Sequence, residues 1–152
     1  MHIILPTEAD TVNLGQVLAK VLTAPAWVYL VGDLGAGKTC LTRAFLASKG
    51  YVGKVKSPTY TLVESYAIAP LIVYHFDLYR IESAHSLEEI GIRDYEGPNV
   101  IALCEWPEKA EGALPEPTLI LELQDHGKGR VAVLKGDAQL LAAIAHYINA
   151  EK

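Results

Sequence analysis

Apolar residues recur along the chain with two different periods, and each period predicts a different kind of element. Continuous or alternating apolar stretches rich in β-branched and aromatic residues are typical of strands. The predicted strands are residues 2–5, 27–31, 60–66, 71–77, 99–105, 118–123 and 130–135. Apolar side chains three or four positions apart predict helices. The predicted helices are residues 7–23, 38–49, 86–90 and 137–149.

The order of these elements predicts an α/β fold with a mixed sheet. Strands and helices alternate in the N-terminal third, as in parallel sheets, whereas the later strands follow one another directly. Ala69-Pro70 joins the third and fourth strands, and residues 126–129 join the last two, so we expect two hairpins. We see no repeat or linker in residues 1–152, which we interpret as a single domain.

Composition argues against direct nucleic-acid binding, a disulfide framework and a membrane span. The sequence is 51% hydrophobic and carries a net charge of -5, which argues against a surface built to neutralise nucleic-acid phosphates, so any nucleic-acid role is expected to be indirect. Cys40 and Cys104 lie in apolar stretches, which favours buried thiols in a reducing cytoplasm over a disulfide. We find no stretch of roughly 18 to 20 apolar residues, so no membrane span is expected and a cytoplasmic location is predicted.

A glycine-rich loop at residues 32–39 carries the strongest chemical signal. It has the pattern G-x-x-x-x-G-K-T and lies between a predicted strand and a predicted helix. Glycines allow successive backbone N–H groups to turn inward and form a cradle for the phosphates of ATP. In such a loop Lys38 reaches the β- and γ-phosphates, and the Thr39 hydroxyl is a ligand of Mg²⁺. We therefore predict a phosphate-binding loop.

Two predicted strands end in an acid that could hold magnesium or position water. Residues 71–77 end at Asp77, in the form that usually supplies the second magnesium element of P-loop enzymes, and residues 99–105 end at Glu105. We expect the ligand at the carboxyl ends of the strands, where both acids would lie. The sequence pattern leaves open which acid contacts the metal.

Two further segments allow more than one interpretation. The loop at residues 56–61 is either a nucleotide-sensing segment that carries Thr59 to the γ-phosphate or a Ser-Pro turn whose threonines serve a strand. The basic turn with Lys128 and Arg130 is at least as well explained as an exposed hairpin tip. The five histidines show no metal-ligand spacing, so we assign no structural metal.

The motifs, taken in order, resemble the TsaE (YjeE) family, the bacterial ATPases of tRNA threonylcarbamoyladenosine synthesis. The resemblance extends over nearly the whole chain. The segments that carry it are residues 11–15 (TVNLG), 32–39 (GDLGAGKT), 55–64 (VKSPTYTLVE), 75–80 (HFDLYR), 89–95 (EIGIRDY) and 105–108 (EWPE). The resemblance implies a P-loop NTPase-like three-layer fold with a mixed parallel and antiparallel sheet.

The resemblance also assigns roles to residues. It implies that Thr39 and Glu105 hold Mg²⁺, that Asp77 is an outer-shell acid, and that Thr59 belongs to a switch loop. Lys38, Asp77 and Thr59 are thus the catalytic candidates. The residues assigned to ATP are Glu8, Asp33, Leu34, Gly35, Ala36, Gly37, Lys38, Thr39, Cys40 and Gly129. The resemblance places the adenine end of ATP near Glu8 and near the turn at Gly129-Arg130. Cys40 departs from the family pattern, which often has Thr, so only its backbone amide is expected to reach a phosphate.

Members of this family act with TsaB and TsaD, the second of which transfers the threonylcarbamoyl group to tRNA. The resemblance therefore implies a Mg²⁺-dependent ATPase that is weak alone, meets tRNA only through the complex and contacts no membrane. Two alternatives remain at this point. A small-molecule kinase would need an arginine-bearing lid, which the scattered arginines do not provide, and a nucleotide-sensing module would bind ATP without turnover.

Overall fold

The computed structural model describes residues 1–150 and contains a single seven-stranded sheet. Its strands are β1 (His2–Leu5), β2 (Ala26–Val31), β3 (Val63–Ile68), β4 (Leu71–Asp77), β5 (Val100–Glu105), β6 (Leu119–His126) and β7 (Gly129–Gly136). Its helices are α1 (Glu8–Val21), α2 (Lys38–Ser48), α3 (His85–Glu89) and α4 (Ala138–Ala150), with 3-10 turns at Ile92–Tyr95 and Pro107–Ala110. Residues 151 and 152, at the end of the proposed domain, lie outside the described part.

The sheet is mixed, as the sequence predicts. Its strand order is β1-β7-β6-β2-β5-β4-β3. The central strands β6, β2, β5 and β4 run parallel, whereas the two hairpins, β3 with β4 and β6 with β7, and the pair of β1 with β7 are antiparallel. The carboxyl ends of four strands therefore meet along one edge.

Helices cover both faces of the sheet, which gives three layers. On β5 all six positions are buried, with Ile101 and Leu103 facing one core and Ala102 and Cys104 facing the other. The larger core lies under α1, α2 and α4. The smaller core lies under α3 and the 3-10 turns and contains Leu87. The continuous apolar run of this strand thus reflects burial on both faces.

Two expectations about single segments are wrong. The strand expected at residues 60–66 begins only at Val63, because Leu62 has a left-handed φ of 73° that interrupts the extended backbone. Cys104 is buried as expected, but Cys40 is partly exposed at the start of α2. Both thiols are free, in agreement with the absence of a predicted disulfide.

Among residues 1–150 no helix combines the length and the apolar character needed to cross a bilayer. The longest helix described is α1, with 14 residues, whereas a bilayer span takes about 20 apolar residues.

Candidate functional site

Strand register brings the two predicted acids together. Glu105 is opposite Leu30 of β2 and opposite Asp77 of β4. Because these strands are parallel, both carboxylates lie at the same edge as the end of β2, where the chain enters the glycine loop at residues 32–39. The structure thus places Asp77 and Glu105 as neighbours beside the loop.

The glycine loop turns back on itself before α2 begins. Ala36 N–H donates to Asp33 O at 3.1 Å, which closes a tight turn. Gly37 has a left-handed φ of 109° and directly precedes the helix, a conformation that a residue with Cβ adopts only with strain. At the next turn Leu41 N–H donates to Gly37 O at 3.0 Å. The first turn of α2 therefore opens directly from the loop.

Lys38 is buried at the base of this loop. Its side chain is only 5% exposed, Nζ donates to Gly32 O at 2.5 Å and lies 3.8 Å from Glu105 Oε1. Nζ also lies 4.2 Å from the ring centroid of Trp106, which supplies a cation–π contact. Burial lowers the pKa of Lys38, although the nearby carboxylates, led by Glu105, oppose that shift. The ammonium is thus held in a confined place where an anion would further stabilise its charge.

His75 orients Glu105 and was missed as a site residue. Its Nε2 lies 2.6 Å from Glu105 Oε2, and its ring is 1% exposed. Nδ1 is buried without a partner among the described residues, so Glu105 is the hydrogen-bond partner that the structure gives this ring. The signal was present in the sequence, since His75 and Asp77 are two residues apart and therefore share one face of β4.

The space around these side chains forms the inner cleft, with a volume of about 260 Å³. Its lining residues are Leu34, Gly35, Gly37, Lys38, Thr39, Ser57, Thr59, Asp77, Glu105 and Trp106. Ser57 Oγ and Thr59 Oγ1 are 2.7 Å apart, and Asp77 Oδ1 accepts from Tyr79 N–H at 3.0 Å. Since β3 begins at Val63, Thr59 is not a strand residue, and the β-propensity interpretation of this threonine is wrong.

A second cavity of about 320 Å³, the outer cleft, lies on the other side of the glycine loop. Its lining residues are Pro6, Thr7, Glu8, Thr11, Gly35, Ala36, Gly37, Cys40, Lys128, Gly129 and Arg130. Cys40 Sγ lies 3.8 Å from Glu8 Oε1. The pKa of the Cys40 thiol is raised, mainly because the thiol is partly buried and secondarily because the Glu8 carboxylate is close. Gly35 and Gly37 line both clefts, so the loop is the wall that the two cavities share.

Two loop residues assigned to the nucleotide are exposed and are not enclosed by the two clefts. Asp33 lines a separate hollow with Gln124 and Asp125 rather than either cleft. Leu34 lines the inner cleft, but the residue is 70% exposed. Backbone rather than side-chain contacts are therefore what these two positions offer.

The donor set of the inner cleft suits magnesium better than a metal held by protein alone. Within residues 1–150 no group of three or more His, Cys, Asp or Glu side chains is placed to enclose a metal. Mg²⁺ requires oxygen ligands and is usually bound through one or two carboxylates together with substrate phosphates. The Glu105 carboxylate and the Thr39 hydroxyl in the same cleft are donors of that kind.

Comparisons with known proteins agree on one family. The family model described as "Threonylcarbamoyl adenosine biosynthesis protein TsaE" matches residues 5–132. A protein of Haemophilus influenzae named tRNA threonylcarbamoyladenosine biosynthesis protein TsaE is 47% identical over 131 residues, 83% of each chain. The TsaE protein of Rickettsia felis is 33% identical over 142 residues, 90% of this chain and 81% of that protein.

One solved structure supports the same fold. The crystal structure of YdiB from Bacillus subtilis superposes with a TM-score of 0.75 at 22% identity and covers 100% of this chain and 95% of that chain. At this level of identity the likeness concerns the fold alone. The mixed α/β fold expected from the sequence is thereby confirmed.

Proposed function

Since the chain belongs to the TsaE family of tRNA threonylcarbamoyladenosine biosynthesis proteins, we propose that it binds ATP with Mg²⁺ and hydrolyses it in support of that tRNA modification. One observation carries the proposal. The parallel register of β2, β5 and β4 gathers Lys38, Glu105 and Asp77 around the glycine loop, in one cleft with Thr39. A bound phosphate chain needs this combination of cation, carboxylates and hydroxyl.

The two clefts suggest how the nucleotide would lie. The base would occupy the outer cleft beside Glu8 and Gly129, and the phosphates would follow the glycine loop, which is shared by both clefts. The terminal phosphate would then reach the inner cleft. The amides of residues 33–40 would bind the phosphates along the way, with Cys40 contributing its backbone only.

Lys38, Thr39 and Glu105 would offset the negative charge of the phosphates, Lys38 directly and the other two through the metal ion. Lys38 places a buried ammonium against them, where a low local dielectric strengthens the attraction. Thr39 and Glu105 would hold the magnesium ion, which neutralises negative charge on the phosphates when bound. Glu105 Oε2 faces His75 Nε2, so the hydrogen bond leaves Oε1 on the side of Lys38 and the cleft.

Asp77 and Thr59 line the same inner cleft and would act there on water and on the terminal phosphate. One oxygen of Asp77 accepts from Tyr79 N–H, which fixes the carboxylate beside Glu105 so that it can orient water near the metal. Thr59 and Ser57 share a hydrogen bond on an irregular loop. Such a loop can order around a terminal phosphate and change shape when that phosphate leaves.

We further propose that TsaB and TsaD are the partners and that hydrolysis is weak without them. The net charge of -5 suits a subunit that meets tRNA through its partners rather than by itself. Because the modification acts on tRNA, we assign the protein to the cytoplasm. Under this proposal ATP turnover, not RNA contact, is the contribution of this chain.

ATP hydrolysis by the purified chain tests the proposal. We would measure phosphate release with ATP and Mg²⁺, alone and with TsaB and TsaD added, using Lys38→Ala as the blank. Weak activity that rises with the partners is the expected result. Transfer of phosphate to a small-molecule acceptor would instead identify a kinase, and ATP-dependent partner binding without turnover, even in the complex, would identify a sensor.

A further inference from the structure

Arg130 joins the β6–β7 hairpin to the glycine loop, and its guanidinium contacts the backbone of both. Nε donates to Ala36 O at 3.1 Å, and Nη2 donates to Gly35 O at 3.2 Å. Nη1 donates to Gly129 O at 3.1 Å and lies 3.2 Å from Asp125 Oδ1. All three guanidinium nitrogens of Arg130 form hydrogen bonds, and Nε and Nη2 donate to two consecutive carbonyls of the glycine loop.

The backbone of Arg130 is held in place by strand pairing. Arg130 is opposite Leu5 of β1 and opposite Asp125 of β6, so its strand is paired on both sides. A Cβ atom on Gly129 would lie 2.5 Å from Leu5 O, so the hairpin backbone rests directly on the segment that leads into α1. The basic residue therefore belongs to the framework of the site and is not an exposed hairpin tip.

Holding a carbonyl also fixes the N–H on the other side of the same peptide unit. In a trans peptide the C=O and the following N–H point in opposite directions. Gly35 O and Ala36 O face Arg130, so the N–H groups of Ala36 and Gly37 face away from it. The first of these donates to Asp33 O and closes the turn, so of the two it is the Gly37 N–H that can serve a phosphate.

We propose that Arg130 is a positioning residue that locks these two peptide units, so that the Ala36 N–H keeps the turn closed and the Gly37 N–H is directed into the phosphate cradle. The inference rests on the proposed nucleotide site and adds a part to it. Arginine is suited to the task because its planar fork donates to two acceptors in fixed geometry, whereas lysine offers a single point of charge. Arg130 thus acts on the phosphates through the loop and does not itself contact them.

The test compares Arg130→Lys and Arg130→Met with the wild-type chain. We would measure binding of ADP and, by competition with fluorescent ADP, of inorganic tripolyphosphate, which has no base or sugar. We expect both variants to bind both ligands about tenfold more weakly, because two hydrogen bonds to the loop are lost or weakened. Lys135→Met, which removes a positive charge from an exposed position of the same strand, is the matched control and should bind as the wild type does.

A readout without nucleotide separates positioning from general stability. Amide hydrogen exchange at Ala36, whose N–H closes the turn, should be faster in Arg130→Lys, while exchange in the core strands and the urea midpoint stay at wild-type values. If Arg130→Met does not fold, Arg130→Lys carries the test, because it keeps the charge and most of the aliphatic stem.

The possible binding results separate a failure of the positioning role of Arg130 from a failure of the proposed function. Wild-type tripolyphosphate affinity in Arg130→Lys would overturn the positioning role and leave only an effect of charge. Loss of ADP affinity with unchanged tripolyphosphate affinity would overturn it in favour of a contact with the base or sugar. Failure of the wild-type chain to bind either ligand would instead contradict the proposed function on which this inference depends.

Discussion

At the scale of single residues, the site combines buried charge with incomplete pairing. Lys38 and Glu105 are 4% and 5% exposed, yet their closest charged atoms are 3.8 Å apart rather than in tight contact. Burying charge is costly unless partners are supplied, and here His75, Gly32 O and the Trp106 ring supply part of them. The arrangement is typical of a site that is organised for a charged ligand.

We expect Glu105→Gln to separate nucleotide binding from magnesium-dependent chemistry. ADP affinity measured with EDTA should change little, whereas hydrolysis with Mg²⁺ should fall roughly tenfold or more, because the magnesium ion that Glu105 would help to hold supplies several kcal/mol of charge stabilisation. Glu111→Gln, at an exposed position beyond the strand, is the control. Full magnesium-dependent activity of Glu105→Gln would remove the role proposed for this acid.

The hydrogen bond between His75 and Glu105 should be visible as coupling in stability. His75→Phe keeps a ring in the buried space and removes the N–H donor, so the free energy of unfolding should fall by about 1–3 kcal/mol. With Glu105→Gln in the background, the same change should cost less, because the carboxylate that needed the donor is gone. Urea denaturation measures both. An equal cost in the two backgrounds would mean that only the shape of the ring matters.

At the scale of elements, strand ends and a helix start define the site. The glycine loop connects β2 directly to α2, and α2 in turn packs closely against α1. A Cβ atom on Gly15 of α1 would lie 2.6 Å from Leu41 O and 2.8 Å from Ala44 Cβ. The contact between these two helices therefore depends on the absence of a side chain at this position.

Gly15→Ala should destabilise the protein, opposite to the usual effect in a helix. Alanine normally stabilises a helix interior by about 1 kcal/mol relative to glycine, but here it would push α1 from α2 and cost about 1–3 kcal/mol. The control is the neighbouring exposed residue Gln16, where the Ala variant should be more stable than the Gly variant. Urea midpoints test both pairs. A more stable Gly15→Ala would show that the helices adjust without strain.

At the scale of the whole molecule, ligand binding should stabilise the fold. ATP that binds only the folded state at 100 times its Kd contributes about 2.7 kcal/mol. For a domain of this size that corresponds to a rise in Tm of roughly 5 to 11 °C. Lys38→Met should show about half that rise or less at the same ATP concentration, because the loss of a charged hydrogen-bond donor weakens binding ~10- to 150-fold. Equal shifts in both proteins would argue against Lys38 as a phosphate ligand.

The overall charge makes a second prediction at this scale. With a net charge of -5, the isolated chain should show no salt-dependent binding to tRNA in a filter or gel-shift assay near physiological salt. Adding TsaB and TsaD should be required for any tRNA association. Strong, salt-sensitive binding by the chain alone would contradict the indirect role.

The sequence by itself determined the main elements and the position of the glycine loop between β2 and α2. Local periodicity and glycine spacing are short-range properties, so strands such as 71–77 and the glycine loop could be located from residues close together in the chain. The mixed sheet also followed, because strand and helix order restricts the possible topologies. The family resemblance then indicated roles for Thr39 and Glu105.

Only the tertiary structure decided which distant residues meet. His75 against Glu105 and Arg130 against Ala36 join residues 30 and 94 positions apart, and no local pattern specifies such pairs. The late start of β3 depends on a left-handed Leu62, whose conformation is stabilised by hydrogen bonds to Pro58 and Asp77. Local propensity is a weak preference that packing and long-range hydrogen bonds override, so contacts across the sheet set the final form of the site.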